Sequence, residues 1–140
     1  MNFIPYYVLA RYNKNKIMIK VSFDFDATLS RNDVEKYAKE LIDRDIEVWI
    51  CTSRYSPENA PNKEWNDDLF LVADKVGIKR EHIIFTNFTN KSEHLNNKGF
   101  KWHIDDDSIE LSFIKTDTDL TPIFLFGNKN WKNDCENALK

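Results

Sequence analysis

Two tight acidic groups stand out in this chain, Asp24-Phe25-Asp26 and Asp105-Asp106-Asp107, and each follows an apolar run. A third apolar run ends in Thr52-Ser53-Arg54, and Thr28 and Lys91 complete the set of residues that suit one kind of chemistry. Alternate residues of an extended chain project to the same side. Asp24 and Asp26 therefore fit a pair in which one carboxylate attacks and the other moves protons. Carboxylates drawn from separate stretches repel one another unless a hard cation joins them, and Mg²⁺ takes one or two carboxylates, waters and a phosphate. A phosphoryl group adds more negative charge, which Mg²⁺, Lys91 and the Thr52 hydroxyl would neutralise. The pattern suits phosphoryl transfer through an aspartyl-phosphate.

These residues meet only if the apolar runs lie side by side. Largely apolar stretches of strand length occur at 17–25, 46–52, 82–86 and 122–126, and a further strand is read at 101–105. Helical periodicity appears at 33–43, where Asn32 and Glu35 resemble a capping box, at 67–76 with Gly77 as its stop, and at 91–97. A C-terminal helix uses Trp131, Cys135, Ala138 and Leu139. Strands that are largely apolar, alternating with helices, indicate a mostly parallel five-stranded sheet covered on both faces. The expected fold is a single-domain α/β three-layer sandwich over residues 1–140, with residues 1–16 either a peripheral extension or an extra edge strand. In such sheets ligands bind beyond the carboxyl ends of the strands, where Asp24, Thr52 and Asp105 stand.

Composition narrows the classes. A chain of 140 residues has room for one core, and its net charge of −3 gives no global basic field for nucleic acid or membrane. Cys51 and Cys135 are too few for a disulfide framework and match no zinc spacing, which suits a reducing cytosol. The apolar run at 3–10 lacks a basic lead and a small-residue cleavage site, so neither a signal peptide nor a membrane span is expected. The three histidines fall on different elements and do not make a metal set.

Asp24-Phe25-Asp26-Ala27-Thr28 resembles the first motif of haloacid-dehalogenase-type phosphohydrolases, Asp-x-Asp-x-Thr after an apolar strand. Thr52 resembles the second motif, Lys91 the third, and Asp105-Asp106 the fourth, all in order over about 17–126. The resemblance implies a Rossmann-like fold and a Mg²⁺-dependent phosphatase with Asp24 as nucleophile and Asp26 as acid/base, the latter also offering its backbone carbonyl to the metal. It implies further that Thr52 binds the phosphoryl group, Lys91 steadies Asp24, and Asp105 completes the metal site. Asp106 joins the metal site or supports Lys91. Ala27 departs from the glycine commoner there, and Lys98 and Lys101 are alternatives for the motif lysine.

The stretch between Asp26 and Asp33 is too short for the cap domain that many such enzymes carry. The site should be open, covered by a large substrate, a partner subunit or the loop 53–66. Thr28, Ser53 and Arg54 are expected to bind substrate. Arg54, Tyr55, Lys63 and Trp65 supply two cations and two flat rings, which suit a nucleotide. Two further readings stay open here: a non-catalytic module binding a phosphorylated ligand or a protein, and a capless phosphatase acting on nucleic-acid ends. Asp107 doubles as a candidate helix N-cap.

Overall fold

In the computed structural model, which describes residues 18–140, five parallel strands form one sheet in the order β3-β2-β1-β4-β5. The strands are β1 (Lys20–Phe23), β2 (Glu47–Thr52), β3 (Ile83–Phe85), β4 (Phe100–Asp105) and β5 (Thr121–Phe124). Between them run α1 (Asn32–Asp43), α2 (Asp67–Val76), α3 (Lys91–Leu95) and α4 (Ser108–Asp117), and α5 (Trp131–Asn137) closes the chain. The single α/β sandwich expected from the sequence is the fold observed. The apolar run at 3–10 lies outside the described residues.

The larger core unites α1, α2 and α5 with one face of the sheet. Phe23 meets Trp102 edge-on at 5.2 Å, and Tyr37 meets Trp131 at 5.5 Å. Rings this large bury enough apolar area to dominate the packing. The second face carries a smaller core of Cys51, Leu95, Phe100, Ile114 and Leu120 under α3 and α4. Between β1 and β4 the register slips by one residue, pairing Lys20 with Phe100 but Ser22 with His103. That bulge lets Phe100 face the smaller core while Trp102 faces the larger one, and it leaves Ser22, His103 and Asp105 as a polar seam.

Chain order reverses across the sheet between β1 and β4, since β1 leads to β2 and β3 on one side and β4 leads to β5 on the other. Crevices form at such switch points. Phe23 pairs with Ile104, and the Asp24 N–H donates to the Ile104 carbonyl at 2.9 Å. The two acidic groups thus leave the sheet side by side.

Two local expectations need correction. The helix predicted from 33 starts at Asn32 with Arg31 at its N-cap, so Asn32 is already helical and no capping box forms. Instead the Asp33 carboxylate accepts the Val34 N–H and pairs with Arg31 at 2.6 Å. Helix α4 was foreshadowed only by Asp107 as a candidate N-cap, and its span was not expected, because Ile109, Leu111 and Phe113 alternate as in a strand. Only Leu111 and Ile114 are buried, while Ile109 stays exposed. Its start is marked by Asp107, whose carboxylate accepts the Ile109 and Glu110 N–H groups at 2.9 and 3.3 Å.

Candidate active site

Asp24 is the first residue beyond β1, Asp105 the last of β4, and Lys91 the first of α3. All three side chains are nearly inaccessible to solvent. The Lys91 ammonium bridges the two acids, 2.7 Å from Asp24 Oδ1 and 2.6 Å from Asp105 Oδ2. A helix starting in the strand-to-helix crossover delivers the lysine. Glu110 of α4 fixes that start by accepting the Lys91 backbone N–H at 3.1 Å. Lys98 and Lys101 are both exposed, which leaves Lys91 as the lysine at the cluster.

Each acid has further donors, and their numbers differ. Asp24 Oδ2 accepts the hydroxyl of fully buried Thr28 at 2.9 Å. Asp105 accepts the Asp107 N–H on Oδ1 at 3.1 Å and His103 Nε2 on Oδ2 at 2.8 Å. Burial pushes Asp24 well above the usual carboxylate range; Lys91 opposes the rise and Asp105 adds to it. Burial acts on Asp105 in the same sense, but His103 and Lys91 outweigh it and hold Asp105 below that range. Burial also pushes the His103 imidazole down, so it stays neutral against the pull of Asp105. The neutral ring gives its one proton to ionised Asp105 through Nε2, and Nδ1 accepts the Ser22 hydroxyl at 2.9 Å. His103 lies two residues before Asp105 on the same strand, so period two places both on one face. His103 was not expected at the site, and this spacing is the signal that could have found it.

Asp24, Asp105 and Asp106 each offer an oxygen within 4.8 Å of the others, a donor set of hard oxygens only. Among the described residues, five aspartates, including Asp26 and Asp107, line or floor an open cleft of about 490 Å³, and Lys91 is its one lining cation. An excess of anions this large repels a phosphate unless a divalent cation enters with it, so the residues fit Mg²⁺. The Asp26 carboxylate stands outside this trio.

Asp26 and Arg54 are bound together. After extended Asp26, Ala27 takes a left-handed conformation at φ 57°, which turns the chain into α1 and leaves Asp26 exposed at the cleft. Arg54 grips both Asp26 oxygens, Nε at 3.0 Å and Nη2 at 2.7 Å. The same guanidinium reaches Asp68 through Nη1 and Nη2 at 2.7 and 3.0 Å, and the Trp65 carbonyl through Nη1 at 3.0 Å. Its five N–H groups are thereby all engaged. Bonds to Asp68 and Asp26 hold its pKa above the usual value.

Substrate contact was expected of Thr28, Ser53 and Arg54, and the structure gives the first and last other tasks. Thr28 holds Asp24, and Arg54 holds Asp26 while fastening the loop 53–66 to α2. Ser53 lines the cleft. Thr52 is buried just behind it, its hydroxyl accepting the Arg54 N–H at 3.3 Å. Lys63 is exposed and lines neither the cleft nor the pocket beside it. Short connections follow both Asp26 and β3, so among the described residues no domain is inserted at either place.

The chain matches no family model, no curated protein and no solved structure. No helix among the described residues is long and apolar enough to cross a membrane.

Proposed function

We propose that this protein hydrolyses phosphomonoesters through an aspartyl-phosphate on Asp24, and that it is a haloacid-dehalogenase-type phosphohydrolase. The observation that carries this reading is the meeting of Asp24 and Asp105 on one buried lysine at the switch point of a parallel sheet, with Asp106 beside them. A Mg²⁺ ion held by Asp24, Asp105 and Asp106 would supply charge neutralisation for the phosphoryl oxygens and ionise Asp24. The Asp24 carboxylate then attacks phosphorus, and the bond from phosphorus to the ester oxygen breaks. To serve as the acid, Asp26 must free one oxygen from Arg54 and take up a proton there, which it then gives to the departing oxygen, becoming a carboxylate again. It next takes a proton from the water that attacks the acyl phosphate, releasing inorganic phosphate and restoring both acids. Lys91 keeps Asp24 aimed and donates to the transferring group, while Ser53 lines its path.

The test is hydrolysis of p-nitrophenyl phosphate with Mg²⁺ and with chelator, combined with acid quenching and mass spectrometry of the Asp24 peptide. Metal-dependent turnover with a phosphate adduct on that peptide is the expected result. Absence of metal-dependent turnover across a panel of alkyl and aryl phosphates would overturn the reading and favour a binding module.

Arg54 enters this scheme as a positioning residue, because it sets where the Asp26 carboxyl sits. Protonation of the leaving oxygen matters most when that oxygen is a poor leaving group. Arg54→Gln should therefore lower kcat about 10- to 100-fold for an alkyl phosphate and much less for p-nitrophenyl phosphate. Equal losses on both substrates would show that Arg54 acts only through the fold.

A further inference from the structure

Beside the reactive cleft lies a second pocket of about 300 Å³, lined by Asp26, Ser53, Arg54, Trp65 and Phe88, and Asp26 and Ser53 line both. Its rings are exposed, Phe88 at 61% and Trp65 at 36%, and Tyr55 beside Phe88 is exposed at 37%. Phe88 stands there in a left-handed conformation at φ 63°, directly after Asn87 at φ 53°. Asparagine tolerates that region, but a bulky aromatic residue in it is an outlier held by its surroundings.

The holding bonds are present. The Phe88 N–H donates to the Ser53 carbonyl at 2.8 Å, the Asn87 N–H to the Arg54 carbonyl at 3.2 Å, and the Ser56 N–H to Asn87 Oδ1 at 2.9 Å. On the other wall, Arg54 binds the Trp65 carbonyl at 3.0 Å and Asn66 Nδ2 donates to the Tyr55 carbonyl at 3.0 Å. Two loops are thus tied to the end of β2, and both display aromatic rings to solvent. The Phe88 ring meets Tyr55 at 4.8 Å and is otherwise largely bare. Strain that buries no apolar ring is not explained by folding.

The charge of the pocket limits its occupant. Arg54 has every N–H engaged by protein, so among the described residues the pocket offers no free cation for a second anionic group. What it does offer is aromatic surface, next to the residue proposed to protonate the leaving group. We propose that this pocket receives an uncharged planar ring of nucleobase size, carried on the alcohol that leaves the phosphoryl group and stacked on Trp65 and Phe88. This assignment rests on the phosphatase reading of the adjoining cleft.

The experiment compares a nucleoside 5′-monophosphate with ribose 5-phosphate, the same phosphoester with a hydroxyl in place of the base. The wild-type protein should favour the nucleotide in kcat/KM by about tenfold or more, mainly through KM, the scale of one base stacked on an aromatic side chain. Phe88→Gly suits the left-handed backbone, and Trp65→Ala keeps the carbonyl that Arg54 uses. Each should erase most of that preference and leave ribose 5-phosphate unchanged. Equal turnover of both esters by the wild type, or equal losses on both in the variants, would overturn the ring site while leaving the phosphatase reading intact. If neither ester is hydrolysed, titration with the free nucleoside decides: quenching of tryptophan emission that Trp65→Phe removes supports the pocket, and no quenching overturns it.

Discussion

Asp24→Asn is expected to abolish metal-dependent hydrolysis, by about 10⁴-fold or more, without weakening the fold. A loss on this scale is expected when the nucleophile of a covalent mechanism is removed, because the intermediate can no longer form. The fold should tolerate the change because an amide can accept from Lys91 and meet the Thr28 hydroxyl, while the repulsion between two buried carboxylates disappears. In chelator the wild-type Asp24 carboxyl sits above its ordinary range, chiefly through burial. The folded protein therefore keeps a proton that the unfolded chain has released, and this contribution to stability is lost as pH rises through the folded pKa. Asparagine does not titrate, so the variant should gain on the wild type as pH rises from about 4. Urea unfolding across that range, beside phosphate release, checks both halves. Residual turnover near the wild-type rate would remove Asp24 as nucleophile, and a large loss of stability would make its charge structural.

The sheet was legible because most residues of its strands are apolar on both faces, as coverage by helices on both sides requires, with Ser22 and His103 among the buried polar exceptions. The sequence alone located the ends of β2, α2 and β4 within a residue of their observed places. Helix α4 was illegible for the opposite reason: Ile109 and Phe113 point largely outward, so its apolar residues do not trace a helical stripe. The capping residue Asp107 carried the better signal.

Much the same holds at the site. Asp24, Asp105 and Lys91 are readable because strand ends and the helix start after β3 are places where this topology gathers side chains. The tasks of Thr28 and Arg54 depend on partners far away or freshly turned: Asp68 is 14 residues from Arg54, and Ala27 must adopt positive φ before Asp26 can meet the guanidinium. Residue types do not reveal that an arginine beside a phosphate site is already saturated. Phe88 gave no signal at all, since its exposure follows from two left-handed residues that no pattern announces.

Lys91→Met should destabilise the chelated protein by about 3–5 kcal/mol, the scale of stripping one partner from a buried ion pair. Methionine fills the same narrow space, so the effect isolates the charge. Without the ammonium, Asp24 and Asp105 share a dry site with no cation between them, and both are driven to hold protons that the unfolded chain gives up. Stability of the variant must then fall as pH rises above about 4, so its deficit relative to the wild type should be larger at about pH 8 than at about pH 5. Mg²⁺ binds the folded chain through the same oxygens and should restore part of the loss by mass action. Urea midpoints at the two pH values, with chelator and with Mg²⁺, measure all of this. A deficit independent of pH and untouched by metal would mean that Lys91 supports the core by packing alone, and the acids would need another explanation for their closeness. The predicted pattern would instead show that the lysine holds two like charges together before any metal arrives, so the same side chain that lets the sheet close over them keeps the nucleophile in place.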